Sequence, residues 1–181
     1  MVRQRGLTLL EMLITLAISA ILLTVVAPNV QSILASNKIT SDINNLSAIA
    51  QHARFSAIND QQDVVLCPTA NYSTCSSSWR LAKMVFADVN GNGNRDDGEP
   101  LIATADPISK SNTISGLTGS LTFQDNGGVG RSAVITLCPQ SGSASDASAV
   151  LISLYGRIVT AKDSDGDGIK EDTSGTSLSC S

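Results

Sequence analysis

His52 is the only histidine among 181 residues, and that scarcity excludes His-rich metal centres and any catalytic triad with a choice of base. Aromatic residues make up 3% and charged residues 15%, against about 25% charged in an ordinary soluble chain. Any core must therefore be built from Val, Ile, Leu and Ala. Twelve Lys and Arg face sixteen Asp and Glu, a net charge of −4, which speaks against a generally basic nucleic-acid binder. No C-x-x-C pair and no phosphate loop occurs, so neither a zinc ribbon nor an NTPase can be assembled. What abounds is Gly, Ser, Thr, Asn and Asp, the composition of a loop-rich, exported domain containing β-strands.

The N-terminus carries the strongest signal. Residues 1–6 are short and basic, and from Met12 to Asn37 no side chain is charged. As a helix this stretch would run about 39 Å, enough to cross a hydrocarbon layer of about 30 Å. A secretory signal places its small-residue cleavage site after a shorter apolar run. Here Gly6 precedes the run, and a carboxylate, Glu11, sits inside its first turns, where an unpaired charge costs at least about 2.5 kcal/mol. Pro28, late in the run, removes a backbone donor and is expected to kink the helix.

The order Gly6-Leu7-Thr8-Leu9-Leu10-Glu11 resembles the prepilin peptidase signal of type IV pilins and pseudopilins, although that family usually has Phe where this chain has Leu7. The resemblance implies cleavage after Gly6, methylation of the new α-amine on Leu7, and Glu11 as fifth residue of the mature chain. It also implies a role in assembly for Pro28, through local melting of the helix. A positive α-amine, its own or a neighbouring subunit's, would neutralise Glu11 in a low-dielectric setting and set the register between subunits. The alternative is a plain signal anchor with a stray glutamate. Loss of Arg3 and Arg5 would take the basic side chains to ten against sixteen acidic.

Beyond the apolar run, Ile39, Ile43, Leu46, Ala50, Ala53 and Ala57 recur at helical spacing. One helix is expected from about Leu9 to Asn59, its second half lying on a sheet, with Lys38, Asp42, Gln51 and Arg54 more exposed. His52 falls off the stripe and reads as a solvated histidine. After Asp60 the period approaches 2, with strands expected at 64–66, 81–86, 101–102, 121–123, 134–137 and 150–154. Residues 141–148 read as a flexible loop. The fold class is α+β, a long N-terminal helix packed on an antiparallel sheet. The chain divides into a leader (1–6), a transmembrane segment (7–30), an amphipathic segment (31–60) and an exported β-rich domain (61–181).

Four cysteines lie beyond the apolar run, and export makes disulfides the natural reading. Three connectivities are open; Cys67 with Cys75 and Cys138 with Cys180 is favoured, closing loops worth roughly 2.5 and 4 kcal/mol in the chain-entropy model. A site of four thiolates is the competitor.

The blocks Ile49-Ala50-Gln51-His52-Ala53-Arg54-Phe55-Ser56-Ala57-Ile58, Val64-Val65-Leu66-Cys67, Trp79 with Val85-Phe86-Ala87-Asp88-Val89-Asn90-Gly91, and Gly156-Arg157 ahead of Cys180 look like those of FimT/FimU minor pilins within the GspH/FimT family. The resemblance implies a non-enzymatic subunit of a pilus-tip complex that primes assembly. It implies other minor and major pilins and the prepilin peptidase as partners. The chain would be anchored once in the inner membrane with a periplasmic domain, then reach the pilus tip or the outside. A minor pseudopilin of type II secretion is similar in every one of these features.

No cofactor is required, but two loops are candidates for calcium. Residues 88–99 satisfy a twelve-residue calcium-loop pattern, with Asp88, Asn90, Asn92, Asp96 and Glu99 as oxygen ligands; a polar hairpin tip is the alternative. Pro100 excludes an immediately following ordinary helix, so this is no EF-hand. Residues 163–172 repeat the D-x-D-x-D-G opening, but Ser174 stands where a bidentate carboxylate would close the site. That loop reads as solvated and acidic, with Asp172 as a substitute ligand only in a different turn geometry. Finally, FimT-type pilins active in DNA uptake resemble Gly-Arg-x-Arg at the segment Gly156-Arg157-Ile158-Val159. Only Arg157 carries over, so DNA binding ranks below a structural role, in which Arg157 donates to backbone carbonyls.

Overall fold

The computed structural model describes residues 8–180, apart from the side chains at 25–29, 31 and 32. One helix, α1 (Leu9–Asp60), is followed by strands β1 (Val64–Thr69), β2 (Ala82–Ala87), β3 (Leu101–Ala105), β4 (Asn112–Ser115), β5 (Leu121–Phe123), β6 (Ala133–Pro139), β7 (Ser148–Ile152) and β8 (Ile158–Thr160). The helix starts where the Thr8 hydroxyl accepts from the Glu11 N–H at 3.2 Å, the first half of a Thr-x-x-Glu capping arrangement. It stops at Gln61, whose left-handed conformation turns its N–H back to the Ala57 carbonyl. Residue 28 lies within the continuous helix.

The strands form two antiparallel four-stranded sheets, ordered β3-β2-β1-β5 and β4-β6-β7-β8, where one sheet was expected. All six expected strand segments are present. β4 and β8 are additional: Asn112-Thr113-Ile114-Ser115 is too polar to stand out, and β8 has only three residues. The loop expected at 141–148 contains a 3-10 turn, Ala144–Asp146, and yields to β7 at Ser148.

The second half of α1 unites the two sheets. Ile39, Ile43, Leu46, Ile49, Ala50, Ala53 and Ala57 pack against Val64, Leu66, Val85, Phe123, Ile135, Leu137, Val150 and Ile152 in one core. Alanines at three of these positions let the sheets approach the helix closely, and each buried Val, Leu or Ile contributes roughly 1.5–3 kcal/mol. The opposite sheet faces are covered too. Val65, Cys67, Met84 and Phe86 form one outer cluster against Cys75. Cys138, Ala149, Leu151, Ala161 and Leu178 form another against Cys180. Strands buried on both faces read as unbroken apolar runs, as β1 and β7 do.

Asp42 corrects the sequence reading of α1. Expected on the exposed side, it is buried, and its carboxylate accepts from the Ser109 N–H (3.0 Å), the Ser109 hydroxyl (3.0 Å) and the Asn112 amide (2.7 Å). A helix carboxylate thus organises the β3–β4 connection. Arg54, also expected to be exposed, is half-buried.

Candidate functional site

The two halves of α1 differ in kind. Over residues 9–24 apolar side chains occupy every face: Leu9, Leu13, Leu16 and Leu23 are 57–79% exposed, and Leu10, Met12, Ile14, Ile18, Ile21 and Leu22 are exposed as well. Consecutive helix residues point about 100° apart, so a run such as Met12-Leu13-Ile14 leaves no polar side. Thr15, Ser19 and Thr24 do not provide one, because each hydroxyl donates back to a carbonyl three or four residues earlier in the helix. Among the described residues no helix is long and apolar enough to cross a membrane. Residues 9–24 make about 24 Å of helix against a hydrocarbon layer of about 30 Å.

Gly6 and Leu7, the expected cleavage and methylation positions, lie outside the described residues. Glu11 lies in the first turn of α1 and is exposed. There its charge favours the positive end of the helix dipole, a local role that the sequence reading did not include.

Both favoured cysteine pairs are disulfides: Cys67–Cys75 and Cys138–Cys180, with Cα separations of 5.6 and 5.8 Å. No free thiol remains. Each bridge lies in an outer cluster, the first fastening the β1–β2 connection and the second fastening the C-terminal segment onto the second sheet.

The loop 88–99 is held by its own hydrogen bonds. Asp88 accepts from the N–H groups of Asn92 (3.0 Å) and Gly93 (2.8 Å), and Glu99 accepts from those of Val89 (2.8 Å) and Asp96 (2.9 Å). Asn90 and Asn92 turn their amide N–H groups toward one Asp96 oxygen, at 2.8 and 2.6 Å. Those two bonds, the Asn90 one first, hold the Asp96 carboxyl below its ordinary pKa. The loop 163–171 is different. Asp163, Asp165, Asp167 and Glu171 each place a carboxylate oxygen within 4.8 Å of the others'. It is the only such group among the described residues. Asp172 is engaged elsewhere, accepting from Ser174 and Thr176 in the following turn. These bonds, the Ser174 hydroxyl first, lower its pKa.

Among the described residues, arginine usage follows one rule with one exception. Arg54, Arg80, Arg95 and Arg131 all donate to main-chain carbonyls. The guanidinium of Arg157, expected to do so, has no hydrogen-bond partner among the described residues. It is exposed, and with Gln51, Arg54, Phe55, Ile58 and Ile158 it lines a surface cleft between α1 and β8. The carbonyl-binding role belongs instead to Arg54, whose sequence context gives no hint of it.

Lys83 was not singled out in the sequence. On β2 it is 1% exposed, on the face that also carries Val85 toward α1, with its Nζ 3.5 Å from the Asp106 carbonyl. Burial pushes its pKa down to about 8, against the opposing pull of Asp42 and Asp106.

A pilin-type architecture is thus in place: an apolar helical rod, half free and half embedded in a disulfide-bonded β-domain. The family described as Type II transport protein GspH matches residues 42–156, more than half of the chain. The chain belongs to this family. Residues 1–27 match the prokaryotic N-terminal methylation motif. The fold is similar to crystal structures of the Pseudomonas aeruginosa type IV minor pilin FimU. In one crystal form the TM-score is 0.57 at 18% identity, over 80% of this chain and 96% of that one. In a second form it is 0.54, also at 18% identity, over 78% and 99%. No curated protein sequence matches.

Proposed function

We propose that this chain is a minor pilin-type subunit, trimmed after Gly6, methylated on Leu7 and held in the inner membrane by residues 7–30 until it enters a filament. The observation that carries this reading is the contrast within α1, apolar all round over residues 9–24 and one-sided in its second half. A helix without a polar face needs lipid or other apolar helices around it. In a membrane the rod is solvated by acyl chains, and in a filament by the rods of other pilins. Residues 31–60 then serve as the mount for the exported domain 61–181, and Pro28 falls near the junction.

Glu11 supplies the register. In a low-dielectric rod its carboxylate is stabilised by the Leu7 α-amine of its own or an adjacent subunit. A tip-complex role, in which this subunit primes assembly with other minor pilins, fits a fold similar to that of a minor pilin. The family description names type II transport, so the filament is a pilus or a secretion pseudopilus; the subunits that co-purify with the chain distinguish the two.

The test is incorporation of Glu11→Ala and Glu11→Gln chains into filaments sheared from the host. Both are expected to be absent from filaments while the exported domain keeps its native circular dichroism. Gln preserves hydrogen bonding at the helix start but not the charge, so normal incorporation of Glu11→Gln would overturn the register role.

A second reading, DNA capture, is supported by one observation, the exposed Arg157 guanidinium, without a hydrogen-bond partner among the described residues, beside Arg54 and Phe55. So few cations give weak, strongly salt-dependent binding. Gel retardation by the full chain that Arg157→Ala does not reduce would remove it.

A further inference from the structure

The acidic loop between β8 and the C-terminus holds a feature that its sequence does not reveal. Glu171 is 5% exposed, and its Oε1 is buried with no hydrogen-bond partner. Leaving a buried carboxylate oxygen unsatisfied costs more than an ordinary lost hydrogen bond. The other oxygen, Oε2, accepts from the Ser164 N–H at 2.6 Å. The same carboxylate gathers with those of Asp163, Asp165 and Asp167, one oxygen from each lying within 4.8 Å of the rest. Four carboxylates crowded together repel unless a cation joins them. The adjacent Lys170 does not supply it, since its Nζ donates to the Ala147 carbonyl at 3.0 Å.

We propose that Asp163, Asp165, Asp167 and Glu171 bind one calcium ion. All the ligands are carboxylate oxygens, which suit a hard cation and disfavour zinc or copper. Two ligands on opposite sides of a Ca²⁺ ion at 2.3–2.6 Å stand about 4.6–5.2 Å apart, and the observed oxygens lie within that span. Backbone N–H groups orient the carboxylates. Gly166 and Gly168 donate to Asp163 at 2.7 and 2.9 Å, the Asp167 N–H to Asp165 at 3.1 Å and the Ile169 N–H to Asp167 at 2.7 Å. The spacing D-x-D-x-D-G-x-x-E closes at the ninth position, three residues before a calcium loop of the twelve-residue kind would close.

The ion would join the start of the loop to a node of the C-terminal segment. Glu171 donates its backbone N–H to the Lys162 carbonyl at 3.0 Å and bridges to Ser177, upstream of the Cys138–Cys180 disulfide. Calcium and the disulfide thereby fasten opposite ends of one polar segment that has little apolar surface of its own. This inference is independent of how the chain assembles.

The experiment is calorimetric titration of the full chain in detergent, freed of metal with a chelator, with CaCl2 and separately MgCl2. One site is expected, with a Kd on the order of 0.1–1 mM as in extracellular calcium modules, weaker for Mg²⁺, and with a rise in melting temperature. Glu171→Gln and the exposed Asp165→Asn are each expected to weaken binding by about tenfold or more, and Asp96→Asn in the other loop to leave it unchanged. Asp165→Asn keeps the test decisive if Glu171→Gln fails to fold. No heat and no thermal shift at 10-fold excess over about 1 mM, or equal binding by Asp165→Asn, would overturn the site. Binding that survives Asp165→Asn but is lost in Asp88→Ala would move the ion to the other loop and overturn it equally.

Discussion

Arg54 donates from Nε to the Gly127 carbonyl oxygen at 3.0 Å, and from Nη2 to the Tyr155 carbonyl at 3.3 Å. One helix side chain thereby ties together two turns, one after β5 and one between β7 and β8, that belong to different sheets. The turns also touch. A Cβ on Gly156 would stand 1.8 Å from the Gly127 carbonyl oxygen and 2.8 Å from Arg54 Nε. Removing the clamp in Arg54→Ala is expected to cost about 1.5–3 kcal/mol, the range for charge-assisted hydrogen bonds, read from urea denaturation.

Gly156→Ala should be worse than an ordinary glycine replacement. Its φ of +71° alone disfavours a side chain by about 1–2 kcal/mol, and the collision adds a comparable amount. Gly175, with φ +81° and nothing within 4 Å of a Cβ, isolates the conformational part. Gly175→Ala should therefore lose only about 1–2 kcal/mol in the same denaturation, and an equal loss at both positions would contradict the packing.

Lys83 makes a pH prediction. Its folded pKa, about 8, lies below its ordinary value of 10.5, so between those values the unfolded chain binds more protons. Stability therefore rises with pH across about 8 to 10.5 and loses this contribution as pH falls through 8. In Lys83→Met that rise should vanish, and the variant should be the more stable near neutrality. Melting curves of both chains from pH 7 to about 10.5 check the sign.

Of the two disulfides, Cys138–Cys180 encloses the longer loop, with a sequence separation of 42 against 8. Its removal by Cys138→Ser with Cys180→Ser is expected to cost about 4 kcal/mol, and removal of Cys67–Cys75 about 2.5 kcal/mol. The order is the firm expectation, and equilibrium denaturation of the two double variants measures it.

Legibility in the sequence followed the kind of residue involved. The second half of the helix, to within a residue of its end at Asp60, is written in the stripe from Ile39 to Ala57, because amphipathic periodicity is local, and its first half in the uncharged run from Met12 to Asn37. The six apolar strands are legible for the same reason, while β4 is not: Asn112 is buried because Asp42, 70 residues away, accepts from it. The division into two sheets escapes notice because alternation alone does not say which strands pair. Asp42 and Arg54 look like solvated helix residues until the β-domain folds over them. Asp88 and Glu99 match a ligand pattern, yet the acidic groups of that loop do not converge on one point, whereas Glu171 lies off the pattern and keeps a buried, unpartnered oxygen beside three converging carboxylates. Spacing records where a ligand can be, and burial decides which carboxylate lacks a partner.

The central claim is that the apolar half of α1 is processed and then used as a packing rod. Intact-mass measurement of the chain isolated from its host's sheared filaments tests it most directly. The account predicts a chain beginning at Leu7 and carrying one added methyl group; a chain that retains Met1, found only outside filaments, would contradict it.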